Sequence, residues 1–131
     1  YSIDEDQWTP LPPLLTAVSN ISAVFNENTQ RICVLGGIKG TRAIQELDLK
    51  REVWTTLTLK VPCGDSNISA FSVGSAVYFI SESKLYALDI EKDRLQFVKS
   101  AGFVLSSYFG PTYYSKGSVY ASFEGGRPRR L

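Results

Sequence analysis

Between Arg31 and Trp54 the chain reads as a β-meander and leaves no room for a helix. Ile32, Cys33, Val34 and Leu35 form an apolar run that stops at Gly36-Gly37, and a short polar turn leads into a second run, Ala43 to Leu49, and on to Glu52-Val53-Trp54. Apolar and β-branched residues in short runs, separated by turn residues, are the pattern of antiparallel strands. A glycine pair tolerates backbone angles and close approaches that any Cβ would obstruct, so it is expected at the crowded end of a strand packed against a neighbouring sheet. Trp54 is large enough to be expected as a plug between two such sheets.

The same pattern recurs in phase. Asn20-Ile21-Ser22-Ala23 returns as Asn67-Ile68-Ser69-Ala70, each copy followed by a turn and then an apolar strand. Glu46-Leu47-Asp48-Leu49 is answered by Ala87-Leu88-Asp89-Ile90, and Trp8 precedes Trp54 by 46 positions. Repeats of about 40–50 residues belong to arrays of one supersecondary unit. The expected strands lie near 19–26, 31–36, 43–49 and 52–59, then 67–73, 76–81, 84–90 and 93–99, with two more at 108–114 and 118–123. Gln7-Trp8-Thr9 reads as the tail of an earlier strand, and Pro10 to Pro13 as a stiff connection that no central strand can cross.

The order of apolar run, Gly-Gly, acidic-apolar strand and Trp resembles a kelch repeat, one four-stranded blade of a β-propeller. The resemblance weakens along the chain: the second unit has Ser81-Glu82 in place of the glycines and Leu95 or Phe97 in place of the tryptophan, and the third has Gly125-Gly126 slightly out of register. It implies an all-β fold of antiparallel four-stranded blades, with 1–14 as the end of a preceding blade and linker, 15–60 and 61–102 as blades, and 103–131 as a partial blade. Closed propellers need about four to eight blades. The ring is therefore expected to be incomplete, and the chain, which lacks Met and stops abruptly, to be an excerpt of a longer propeller or a subunit finished by a neighbour.

Several functional classes are disfavoured by composition. Fourteen Lys and Arg against thirteen Asp and Glu leave a net charge of +1, too little for a strong field toward nucleic acid or a membrane surface. The longest apolar runs are about one strand long, far below the roughly 20 residues of a membrane helix. With no His, the chain lacks the commonest general base and the commonest zinc ligand. Cys33 and Cys63 make no dense framework, which favours reduced thiols over a Cys33–Cys63 disulfide. No cofactor is expected.

Other motifs have structural readings. Asn20-Ile21-Ser22 and Asn67-Ile68-Ser69 match the N-glycosylation pattern, but both are expected on innermost strands, where Asn and Ser would line the channel and bond to backbone. Asp48 and Asp89 repeat with the units and are expected to bond turn amides. Arg127, Arg129 and Arg130 read as a solvated connection. The aromatic cluster Tyr108, Phe109, Tyr113, Tyr114 and Tyr120 reads as packing between blades.

In kelch-like propellers the loops between second and third strands, and those between blades, gather on one face and bind partner peptides. The matching positions offer Lys39, Arg42, Asp65, Glu82 and Lys84 as partner-binding residues, with Lys39 and Arg42 as anchors for a partner's carboxylate. The resemblance thus implies a non-catalytic protein-interaction scaffold or adaptor whose partners are other proteins and the remaining blades. Cytoplasmic, cytoskeletal, ciliary and ubiquitin-ligase settings all occur in such families. Two alternatives stay open: a segment of a kelch-like oxidase or isomerase with its active site on other blades, and a structural subunit completed by a partner chain.

Overall fold

The computed structural model describes residues 1–37, 42–62, 68–100, 109–123 and 129–130. All regular structure in them is β. The first sheet runs β1 (Ser22–Asn26), β2 (Arg31–Leu35), β3 (Ala43–Asp48) and β4 (Val53–Lys60), each strand antiparallel to the one before. The second repeats this order with β5 (Ser69–Val73), β6 (Ala76–Ser81), β7 (Lys84–Asp89) and β8 (Arg94–Ser100). The third holds β9 (Phe109–Ser115), β10 (Ser118–Phe123) and β11 (Arg129–Arg130). Among the described residues the three sheets do not close a ring.

Local chemistry sets the turns. Asp48 Oδ1 accepts the amide N–H groups of Lys50 and Arg51 at 2.9 and 3.1 Å, and Asp89 Oδ1 accepts that of Lys92 at 3.1 Å. These are the turn bonds expected of the repeated aspartates, and each turn ends on a left-handed residue, Glu52 or Asp93. The second sheet lacks the glycine pair at its β6–β7 turn, where Glu82 and Ser83 both adopt positive φ, 46° and 61°. Non-glycine residues in this conformation carry a steric cost of about 1–2 kcal/mol each.

The sheets stack face to face. Val24, Cys33, Leu35 and Ile44 of the first meet Val77, Phe79 and Leu88 of the second, with Val61 and Ile68 from the connecting segment, in one buried cluster. Phe71, Ile80 and Leu85 on the other side of the second sheet pack with Val119 of the third. The outer strands β4 and β8 are largely exposed, so the buried surface lies toward the inner three strands.

The repeated serines join the inner strands. Ser22 Oγ accepts the Ala70 N–H at 2.9 Å, and Ser69 Oγ accepts the Thr112 N–H at 3.0 Å while sharing a second hydrogen bond with Thr112 Oγ1 at 2.9 Å. Ser72 Oγ in turn donates to the Phe25 carbonyl at 3.0 Å. An innermost strand has one edge without a ladder partner, and these hydroxyls occupy backbone groups along it. The expected bonding of these serines to backbone is therefore met. Asn20 is not on the strand: it precedes β1 at φ 54° and is exposed, because Ser22 is the first residue to enter the ladder. Asn67 lies outside the described residues, as do Cys63 and Gly125-Gly126.

The N-terminal region also differs from expectation. Gln7 pairs with Ser2 in an isolated bridge, and Trp8 is 80% exposed with its ring against Tyr1 at 5.1 Å, so no strand tail forms there. Further on, the chain crosses the face of the first sheet that points away from the second. The buried Gln45 amide bonds Thr16 twice, its Oε1 accepting the Thr16 N–H and its Nε2 donating to the Thr16 carbonyl, both at 3.0 Å. Trp54 Nε1 donates to the Pro12 carbonyl at 2.7 Å. Trp54 thus fastens the incoming segment and does not fill the gap between the first two sheets.

Candidate functional site

Ser22 meets Ala70 and Phe25 meets Ser72, so β1 and β5 run in the same direction and equivalent turns of the two sheets emerge at the same end. One end carries the connections into β3 and β7. Arg42 is exposed there, yet part of its bonding is internal: Nε donates to the Val61 carbonyl at 2.8 Å and the Val61 N–H donates to the Arg42 carbonyl at 2.9 Å. This reciprocal pair fastens the end of β4 to the start of β3. Glu82 and Lys84 are exposed at the tight β6–β7 turn. Lys39 and Asp65, the other two expected partner-binding residues, lie outside the described residues.

The opposite end holds a feature that sequence reasoning missed. Between the first and second sheets a cleft of about 370 Å³ opens beside the β1–β2 and β7–β8 turns. Alternation along β2 and β3 explains its polar wall. Arg31 and Cys33 on β2 stand opposite Asp48 and Glu46 on β3, and all four side chains share the face directed at the second sheet. Leu35 and Ile44 continue that face as apolar core, so the space between the sheets is dry toward one end and polar toward the other.

Glu46 is the buried charge of this wall, with its side chain 5% exposed and Arg31 Nη1 at 2.5 Å. Arg31 reaches Asp48 as well, at 3.8 Å. The Glu46 carboxylate raises the guanidinium pKa by hydrogen bonding and by charge, and burial partly offsets this. The Arg51 backbone N–H, aided by that of Lys50 and the nearby Arg31, holds Asp48 below the usual carboxylate range. Removing Arg31 would leave an uncompensated buried carboxylate. The signal for Glu46 was present in the sequence as a carboxylate on the inward side of an otherwise apolar strand.

Cys33 is a free thiol, 2% exposed, whose Sγ donates to Glu46 Oε2 at 3.9 Å. Burial first, and the neighbouring carboxylate second, push its pKa up to about 12. The thiolate is the reactive form, so in a Cys63→Ser chain Cys33 should resist a disulfide-exchange reagent at pH 8 while folded and react fully once denatured. Rapid stoichiometric reaction of the folded chain would contradict this. Because the folded state holds the thiol proton that the unfolded chain releases above about pH 9, this residue lowers stability as pH rises from about 9 toward 12.

Asn26 closes the end of β1. Its Oδ1 accepts the Thr29 N–H at 3.1 Å, and its Nδ2 has no hydrogen-bond partner among the described residues although Asn26 is only 3% exposed. Buried donors are rarely left in this state. Across the cleft, Asp89 meets Lys92 Nζ at 3.9 Å beside the exposed Glu91. Among the described residues no cluster of three or more Cys, Asp and Glu is arranged to hold a metal ion, and no helix is long and apolar enough to cross a membrane.

No family model matches the sequence, and no curated protein matches it. Among solved structures, that of YjhT is similar over 85% of this chain, with a TM-score of 0.69 at 14% sequence identity. The chain spans 35% of the length of that one. The likeness is one of fold: antiparallel four-stranded sheets set side by side in the manner of propeller blades.

Proposed function

We propose that this chain is part of a kelch-type propeller acting as a non-catalytic scaffold or adaptor for other proteins, in a cytoplasmic setting. The observation that carries this reading is the repetition of a rigid unit in one orientation. Serine bonds tie the inner strands in register, and equivalent turns with charged, exposed tips, Arg42 on one sheet and Glu82 and Lys84 on the next, are presented at one end. Loops held by a rigid scaffold are where binding residues concentrate, and charged donors there give orientation and on-rate. Lys39 and Asp65 belong to the same set through their places in the two connections.

The test is capture of partners by the intact protein with Lys39→Glu and Lys84→Glu combined. Arg42→Glu serves as a separate variant, because its Nε also supports Val61. Partner retention is expected to fall roughly tenfold for the double reversal, the scale of like-charge juxtaposition at an interface rim. Unchanged retention with an unchanged fold would remove this end as the binding face.

A further inference from the structure

We propose that the cleft between the first and second sheets is a second protein-binding site, one that receives a lysine or arginine side chain of a partner together with the adjoining main-chain carbonyl. The inference rests on the scaffold reading above but assigns a different end of the sheets. Three properties of the cleft select this ligand.

The first is charge. The lining carries Glu46, Asp89 and Glu91 against Arg31 and Lys92, and both cations already face carboxylates, Arg31 at Glu46 and Asp48, and Lys92 at Asp89. Glu91 sits at the exposed rim, near enough to Arg31 to contribute to its electrostatics. The balance disfavours an anion and leaves carboxylate capacity for an incoming cation. The second is the apolar wall. Val77 and Ile90 line the side formed by the second sheet, a surface on which the aliphatic stem of a basic side chain can lie while its head stays among the carboxylates.

The third is the unpartnered amide. Asn26 lines the cleft and keeps a buried donor without an acceptor among the described residues, while its other amide atom is committed to the Thr29 turn. A cationic head has no acceptor to offer it. The ligand must therefore bring both a cation and a carbonyl, which a basic peptide does and a simple polyamine does not. The volume, about 370 Å³, is at the small end of ligand pockets and suits one side chain with its adjoining peptide group.

The experiment is a nuclear magnetic resonance titration of the isotopically labelled full chain with the blocked tripeptide acetyl-Gly-Arg-Gly-amide. Citrulline in place of arginine gives a neutral isostere, and spermidine gives a cation without a carbonyl. Saturable shifts are expected at the Asn26 side-chain amide and at the Ser75, Val77 and Lys92 backbone amides, with the citrulline peptide and spermidine both binding at least about fivefold more weakly. Glu91→Lys, an exposed turn substitution, should weaken the arginine peptide roughly five- to tenfold, and Glu5→Lys in the exposed N-terminal segment should leave it unchanged. The inference is overturned if shifts at the cleft are absent, if citrulline or spermidine binds as well as arginine, or if Glu91→Lys has no effect. Any of these results leaves the Lys39 and Lys84 test of the opposite end standing.

Discussion

Phe79→Ala is expected to destabilise the fold by about 3–5 kcal/mol, the cost of a cavity where a buried aromatic ring stood. Phe79 is fully buried on β6, in the cluster shared by Leu35 and Ile44 of the first sheet and Leu88 of the second. Its ring also stacks on Tyr86 with centroids 5.2 Å apart and planes 18° from parallel. The substitution empties the contact between two sheets, so its cost falls on both. Since single domains are stable by only about 5–15 kcal/mol, a substantial unfolded fraction should appear at moderate urea. Phe97→Ala is the control, since that ring is 52% exposed on β8 and should cost less than about 1 kcal/mol. Urea unfolding followed by circular dichroism measures both, and equal midpoints would refute the assignment of the core.

Gly37→Ala is expected to cost roughly 2–4 kcal/mol, combining an unfavourable backbone angle with overpacking. The residue has φ 127°, and a Cβ built on it would stand 3.0 Å from the Ser19 carbonyl oxygen and 3.2 Å from Val18 Cβ. The segment entering β1 presses on the end of β2 at this point, so relief requires moving backbone. Gly117→Ala separates the two contributions. Its φ is 78°, but nothing lies within 4 Å of the added carbon, and it should lose only about 1 kcal/mol. Similar urea midpoints for the two variants would show that the close approach of residues 18–19 does not exist in solution.

The crowding at Gly37 was legible as a crowded strand end, though its source was not. The sequence points to a neighbouring sheet, whereas the neighbour is the chain's own approach to β1. Trp54 shows the same limit. Its size and strand position mark it as a packing residue, but whether it meets the next sheet or the preceding segment depends on where residues 10–18 travel. Only the bonds from Trp54 to Pro12 and from Gln45 to Thr16 decide that.

The cleft was illegible for a related reason. Asn26 and Arg31 flank one turn and Glu46 follows 15 positions after Arg31, each unremarkable singly, and they come together through the pairing of β1, β2 and β3. Asp89 and Glu91 arrive from another sheet.

By itself the sequence determined the class of fold, the positions of β1 to β10 to within about three residues and the turn chemistry of Asp48 and Asp89, but not the pairing of Arg129–Arg130 as β11, because the former follow from neighbouring side chains and backbone preferences that act over a few positions. Tertiary structure alone decided which face of each sheet is dry, where the N-terminal segment lies and where a buried carboxylate and an unpartnered amide share one opening. Those outcomes depend on how one sheet rests on another, and the free energy of that contact belongs to pairs of surfaces that no local stretch of chain contains.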